Sequence, residues 1–278
     1  SRGPFYIPGA RNFLSWAPAG GASVSGLEVM VRTTLLLVRH GARYDFKNRE
    51  AWRQQCAELG LERSDPPLSP LGHAQAREAA QELAAEEVSA ILCSPYLRAI
   101  QTAQPLAHAL GMPVCIENAL AEFRHRPSVI PKPGDRVACY PEVDHGYEPI
   151  VSDACFVLDG MGMESVPEYF ARMLLLAREL PRRFRGQTVA CYSHAASVSL
   201  VAALTGSSLL EAGTFAPCGI WKLVSDDDGG SWAVARRGGD NSGYVLSNDP
   251  TTFPWGFEHL AAQPGMPPYE ELWRRAVA

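Results

Sequence analysis

The sequence predicts an α/β fold: a three-layer sandwich with a mostly parallel central sheet, helices on both faces and one antiparallel hairpin at an edge. Three observations carry that expectation. Apolar runs at residues 35–38, 88–93 and 188–192 are nearly continuous, as strands buried on both faces require. Between them lie stretches with helix-start signals and a helical apolar period. Further on, residues 220–224 and 232–235 flank Ser225-Asp226-Asp227-Asp228-Gly229-Gly230-Ser231, the pattern of a hairpin whose acidic triplet lies in a solvated turn.

Taken in order, residues 1–29 place Pro4, Pro8 and Pro18 around a Gly/Ala/Ser-rich middle without an apolar period. They are expected to be a leader, tag or extended arm, with Met30 a natural start and residues 30–278 a single domain. The first strand follows from Thr33. Asp65-Pro66-Pro67-Leu68-Ser69-Pro70 then reads as a turn into a helix, with Ser69 the N-cap and Pro70 at the first helical position, where the missing N–H has no partner to lose. That helix is expected to reach residue 86. Pro95 is expected to open another, carrying Arg98 and Thr102 to residue 110, and 113–116 to add a short strand. Residues 122–163 are rich in Pro, Gly and aromatics without a sustained period, and are expected to form a long insertion beside the strand ends. Ser165-Val166-Pro167-Glu168 is a capping box ahead of a Phe170, Met173, Leu174, Ala177 stripe, and Pro181 is expected to stop that helix. A helix over 195–204 follows the strand at 188–192. No element is predicted in the Pro- and aromatic-rich tail after Gly238.

Composition excludes several classes. A net charge of -5 argues against a nucleic-acid or membrane-surface binder, since both need a basic face. No run approaches the ~18 apolar residues of a spanning helix. The seven cysteines, Cys56, Cys93, Cys115, Cys139, Cys155, Cys191 and Cys218, form no Cys-x-x-Cys pair and no zinc-ligand spacing, and Asn-x-Ser/Thr sequons are missing. This reads as reduced, mostly buried thiols in a cytoplasmic protein.

Three strand-like runs end in the same kind of chemistry: Arg39-His40-Gly41 after the first, Ser94-Pro95-Tyr96-Leu97-Arg98 after the second, Ser193-His194 after the run at 188–192. In open α/β sheets ligands bind at the carboxyl ends of strands, so Arg39, His40, Arg98 and His194 would share one cationic, imidazole-lined cleft. Guanidinium forks give phosphate oxygens bidentate, charge-assisted hydrogen bonds. A neutral imidazole among them is a competent nucleophile toward phosphorus, and nearby cations help keep it unprotonated. His40 fits as the attacking group and Arg39, Arg43 and Arg98 as clamps. Other chemistries fit less well: Cys93 lies one residue too close to Arg98 for a cysteine-phosphatase loop, and there is neither a Gly-x-Ser-x-Gly elbow nor a P-loop. No clustered metal-ligand set is evident, so no metal and no cofactor are expected. His73 and His108 read as surface or packing residues on helices, while nothing fixes whether His125, His145 or Trp52 faces a substrate.

With these motifs together, the chain resembles the histidine phosphatase superfamily (branch 1, phosphoglycerate-mutase-like), through Arg39-His40-Gly41, Ser94-Pro95-Tyr96-Leu97-Arg98-Ala99-Ile100-Gln101-Thr102-Ala103 and Ser193-His194, collinearly from about residue 35 to residue 204. Arg39-His40-Gly41-Ala42-Arg43-Tyr44-Asp45, Trp52 and Asp65-Pro66-Pro67-Leu68-Ser69 look most like the phosphatase domain of the suppressor-of-T-cell-signalling (TULA) proteins and the ecdysteroid-phosphate phosphatases. The resemblance implies a phosphomonoesterase with a phosphohistidine on His40, and a phosphate pocket of Arg39, Arg43, Arg98 and His194. It also implies an acid, for which Glu122 in Leu120-Ala121-Glu122-Phe123 is the best match, Glu117 the rival, and Asp153 and Asp159 weaker substitutes. A general acid must hold a proton near neutral pH, as a partly desolvated carboxyl can. The implied substrate is a phosphorylated small molecule or a phosphoprotein, and a homodimer is compatible. A mutase is the alternative, disfavoured because the Asn- and Trp-rich sequence that follows Arg-His-Gly in the glycolytic mutases is missing. A catalytically weak phosphate-binding module is the third reading, disfavoured by the complete Arg39, His40, Arg98 and His194 set.

Overall fold

All seven residues of the strand Thr33–Arg39 (β1) are buried, which explains a run with no polar alternation through Leu35-Leu36-Leu37-Val38. The computed structural model describes residues 31–46, 48–124, 140, 142–151, 164–213, 215–227, 229–239 and 269–278. Around β1 stand β2 (Ala90–Cys93), β3 (Val114–Ile116), β4 (Thr188–Ser193), β5 (Ile220–Ser225) and β6 (Ala233–Arg236), in the spatial order β3-β2-β4-β1-β5-β6. The first four are mutually parallel, and β5 is antiparallel to both β1 and β6. The helices among the described residues are α1 (Arg49–Glu58), α2 (Pro70–Leu83), α3 (Leu97–Leu110), α4 (Val166–Arg183), α5 (Val198–Thr205), α6 (Leu209–Ala212) and α7 (Tyr269–Val277).

Alternate residues of each strand enter different cores. Leu36, Val38, Ile91, Cys93, Ala190 and Tyr192 pack with Leu83 of α2 and with Ile100, Ala103 and Leu106 of α3. Leu35, Leu37, Leu92, Val189 and Cys191 pack on the other face with Tyr169, Phe170 and Met173 of α4, Leu200 of α5, Leu209 of α6 and Trp273 of α7. The expected sandwich is therefore present, with the hairpin strands β5 and β6 at one side of the sheet.

Where boundaries differ from expectation, local bonding explains it. Helix α2 starts as predicted, with Ser69 Oγ accepting the Gly72 N–H at 3.1 Å, but closes at Leu83, not residue 86. Glu87 then takes a left-handed φ of 51°, so the strand expected from residue 88 begins at Ala90. Pro95 does not open α3; the helix begins at Leu97, whose N–H is taken by the Asp65 carboxylate at 2.8 Å. The capping box at Ser165 forms, but Pro181 sits inside α4, which ends at Arg183. In the last turn a proline removes only one N–H bond, with little helix left to disrupt. The helix expected over 195–204 is a 3₁₀ turn, Ala195–Ser197, followed by α5. Of the expected insertion, Val143 pairs with Val114 and so covers the β3 edge of the sheet. Residues 1–29, Cys139, Cys155, His125, Asp153 and Asp159 lie outside the described residues. Cys56, Cys93 and Cys191 are buried free thiols, Cys115 is a half-buried one, and Cys218 is buried. Among the described residues no helix is long and apolar enough to cross a membrane.

Helices α1, α6 and α7 were not anticipated. Helix α7 buries a single side chain, Trp273, edge-on against Phe170 with ring centroids 5.0 Å apart. Trp273→Ala should cost about 3–5 kcal/mol, read from urea unfolding followed by far-UV circular dichroism. A loss under about 1 kcal/mol would show that the tail is not part of the core.

Candidate active site at the carboxyl ends of the strands

The parallel pairing of β1 and β4 carries past the sheet, with His40 N–H donating to Ser193 O at 2.9 Å. This brings His40 and His194 side by side, ring centroids 5.2 Å apart. The loop beyond lies directly on α2: a Cβ on Gly72 would come within 2.2 Å of Ala42 O, and one on Gly41 within 2.7 Å of Gly72 O. Only glycine permits that approach. Gly41 N–H donates to Thr102 Oγ1 (3.1 Å) and Ala42 N–H to Gln75 Oε1 (2.9 Å), so α2 and α3 together set the loop. Arg43 forms a bridge with Leu68, and its fork holds Asp45 at 2.9 and 2.7 Å while its face covers Phe46.

Arg39, His40, Arg98 and His194 are each 2% exposed or less. Arg39 donates to Phe215 O at 2.6 Å. Arg98 meets Asp65 at 3.7 Å and Glu122 at 3.5 Å, and its Nε and Nη1 have no hydrogen-bond acceptor among the described residues. Burial lowers both guanidinium pKa values to about 10, which leaves them charged at neutral pH. Burial, Arg98, His194, Arg39 and Arg43 all push His40 well below the ordinary histidine value. Its Nδ1 lies 2.8 Å from Gly41 O, an acceptor, so the neutral ring carries its proton there and leaves the Nε2 lone pair free.

Glu122 lies 3.3 Å from His194 Nδ1. Burial would raise its pKa, but His194, Arg98 and Arg43 outweigh burial and hold the carboxyl well below the usual carboxylate range. Burial brings His194 to about 4 against the opposing pull of Glu122. At neutral pH an ionised carboxylate thus faces a neutral imidazole. The Glu122 loop is stapled by Arg172 of α4, which donates to the carbonyls of Ala119, Ala121 and Glu122 and forms a two-pronged pair with Glu164 at 2.6 and 2.8 Å. Glu117, the rival acid, has other work. Its carboxylate accepts from the N–H groups of Ala119, Ile150 and Val151 and from the Tyr147 hydroxyl, which pins the insertion to the sheet edge.

The structure therefore brings Arg39, His40, Arg98, Glu122 and His194 together, with Arg43 at the margin. Trp52 is buried and donates to Arg63 O, His145 is exposed, and the exposed His108 pairs with Glu142. Asp65, Arg172 and Ser94, the last 2.7 Å from His194 Nε2, are site-building residues that sequence reasoning missed. The only signal for Asp65 was its place in the turn before Ser69. Ligating atoms of His40, Glu122 and His194 do lie within 4.8 Å of one another, as a metal site would need. The three guanidinium groups around them oppose a cation and favour an anion.

The sequence profile of the histidine phosphatase superfamily (branch 1) matches residues 35–237. The chain belongs to that superfamily. Mouse ubiquitin-associated and SH3 domain-containing protein A is 33% identical over 123 residues, covering 34% of this chain and 20% of that protein. The 55 kDa subunit of transcription factor tau from Saccharomyces cerevisiae is 34% identical over 109 residues, covering 37% and 24%. The chain spans only a fifth to a quarter of the length of these curated relatives. Among solved structures, the ecdysone phosphate phosphatase of Bombix mori in complex with tungstate aligns with a TM-score of 0.57 at 21% identity, covering 73% of this chain and 92% of that one. A mycobacterial glucosyl-3-phosphoglycerate phosphatase aligns with a TM-score of 0.51 at 21% identity, covering 74% and 99%. At such identities the structural likeness speaks for the histidine phosphatase fold.

His40 and His194 titrate near 6.5 when unfolded and lower when folded. As pH falls below 6.5 the unfolded chain takes up protons first, so stability present above 6.5 is lost progressively toward about 4. Glu122, held low in the fold, contributes the same sign below 4.5. Urea midpoints should fall steadily across that window, and His194→Gln should flatten the slope. A wild-type slope no steeper than the variant's would contradict the buried neutral imidazole.

Proposed function

We propose that this member of the histidine phosphatase superfamily is a phosphomonoesterase that passes the phosphoryl group of its substrate to His40 and then to water. The observation that carries the reading is the neutral His40 imidazole, anchored through Nδ1 to Gly41 O and surrounded by Arg39, Arg43 and Arg98. Nε2 attacks phosphorus as the ester P–O bond breaks, and the departing oxygen takes a proton from Glu122. Water then attacks the phosphohistidine, the P–N bond breaks, and Glu122 takes the proton that water releases. Arg39, Arg43 and Arg98 hold the phosphoryl oxygens, with His194 closing the phosphate pocket beside them, where preorganised donors lower the barrier most. Glu122 is held ionised by His194, Arg98 and Arg43; bound phosphate offsets the two arginine charges, so the carboxyl gains its proton as substrate arrives.

No metal or cofactor takes part in this scheme. The substrate is a phosphorylated small molecule or phosphoprotein, in keeping with the phosphorylated sterol and sugar compounds named for the ecdysone and glucosyl-3-phosphoglycerate phosphatases. The family's motifs and the net charge of -5 support a phosphoester of this kind over nucleic acid. Residues 30–278 act as one catalytic domain, supported by Trp273 packing into the same core as β1. The free thiols of Cys56, Cys93, Cys115 and Cys191 support a cytoplasmic location. Self-association as a homodimer is part of the reading and is measured by sedimentation velocity.

Enzyme quenched during turnover should carry acid-labile, base-stable phosphate on His40, and His40→Ala should lose both label and turnover. Glu122→Gln should lose about 10²- to 10⁴-fold in kcat on alkyl phosphates and much less on p-nitrophenyl phosphate, whose leaving group needs no proton. Equal losses on both substrates would remove Glu122 from the role of acid.

A mutase must exclude water from its intermediate. Purified enzyme should instead release inorganic phosphate stoichiometrically from aryl phosphates and leave 3-phosphoglycerate unconverted even when primed with 2,3-bisphosphoglycerate. Primed interconversion about tenfold faster than phosphate release, roughly 1.4 kcal/mol of preference, would establish the mutase.

A further inference from the structure

Ser94 opens the turn after β2 and is wholly buried beneath the site. Its Oγ lies 2.7 Å from His194 Nε2 and accepts the Tyr96 N–H at 3.3 Å. The opposite ring nitrogen, Nδ1, lies 3.3 Å from Glu122 Oε2, an ion-pair approach that is not an aligned hydrogen bond. His194 is itself 0% exposed, with the Tyr96 ring edge-on at a centroid distance of 5.3 Å, so water cannot stand in for either partner.

We propose that Ser94 is a positioning residue whose hydroxyl donates to His194 Nε2 and holds the imidazole in the Nδ1–H tautomer, directing its one proton at Glu122. The inference rests on the phosphatase reading for its catalytic consequence. One partner favours the tautomer and the other can complete it. An ionised carboxylate can only accept, so Glu122 at 3.3 Å favours the proton on Nδ1. The serine oxygen receives the Tyr96 N–H and still has its own proton to give to an unprotonated Nε2. Which ring nitrogen of a histidine is protonated follows from the bond that the other makes. The order hydroxyl, imidazole, carboxylate matches that of hydrolytic triads, but a buried Ser94 serves the ring and meets no substrate.

Without the hydroxyl, Nε2 becomes a buried acceptor with no donor. Nothing then fixes that end of the ring, so Nδ1–H swings off Glu122 and the proton divides between the two nitrogens, which displaces the proton donor of the reaction. The guanidinium groups that bind phosphate are left in place. Ser94→Ala should therefore lower kcat about ten- to hundredfold, the range seen when partners that orient a metal-binding histidine are removed, with KM changed less than about threefold. Ser94→Thr, which keeps a hydroxyl, should recover most of the loss.

The direct measurement is a two-bond ¹H–¹⁵N correlation on ¹⁵N-histidine-labelled enzyme at neutral pH. Wild type and Ser94→Thr should show His194 as the Nδ1–H tautomer alone, and Ser94→Ala should show a mixture of the two tautomers. An Nε2–H tautomer in active wild-type enzyme overturns the Ser94 proposal alone, and needs no variant to fold. Unchanged tautomer and kcat in folded Ser94→Ala overturn it as well. The expected loss of the single tautomer in an enzyme that hydrolyses no phosphoester supports the hydrogen bond and overturns the phosphatase reading alone.

Discussion

Arg98 carries a full charge where only 1% of its surface meets solvent, and its nearest carboxylates stand at 3.5 and 3.7 Å. Charge-assisted hydrogen bonds close at roughly 2.7–2.9 Å, so this cation is held in place but incompletely satisfied. Removing such a group from water costs several kcal/mol, and the surrounding architecture supplies the compensation. Asp65 serves twice, as a partner for Arg98 and as the acceptor at the start of α3. Thr102 links the Arg98 carbonyl to the Gly41 N–H, so the clamp and the nucleophile loop move as one body. Desolvation does not discharge the guanidinium, because a fall to about 10 still leaves it protonated.

The two candidate carboxylates show how position decides chemistry. Glu117 and Glu122 are five residues apart, yet one is saturated by three backbone N–H groups and a phenol while the other is drawn toward His194 and Arg98. A fully hydrogen-bonded carboxylate is a structural tie. One balanced between burial and mobile charge responds to whatever anion arrives, which is the property a proton donor requires.

Arg39, His40, Arg98 and His194 are legible in the sequence because each sits at or just beyond an apolar run whose end marks the sheet edge. The two-sided burial of β1 and the hairpin are legible for the same local reason. Asp65, Ser94 and Arg172 are not, since the Leu97, His194 and 119–122 carbonyl partners lie 32, 100 and 50 to 53 residues away and no periodicity encodes such pairings. Helices α1 and α7 escape notice because they bury only Trp52 with Cys56, and Trp273, too few apolar positions to draw a stripe. The boundary errors at Pro95 and Pro181 share a cause: tertiary bonds at Leu97 and burial along α4 override the local preference of proline.

The placement of β1 between β4 and β5 bears on how the chain reaches this state. Residues 33–39 pair with residues 188–193 and 220–225, so the central strand has neither ladder partner until most of the polypeptide has been made. Pairings of such sequence separation are slow to close. During synthesis the Leu35-Leu36-Leu37-Val38 segment waits with both edges open, which is when an apolar strand is most prone to join a neighbouring chain. His40 and His194 meet only when that wait ends, so the nascent protein acquires its chemistry in the same step that removes its chief hazard of aggregation.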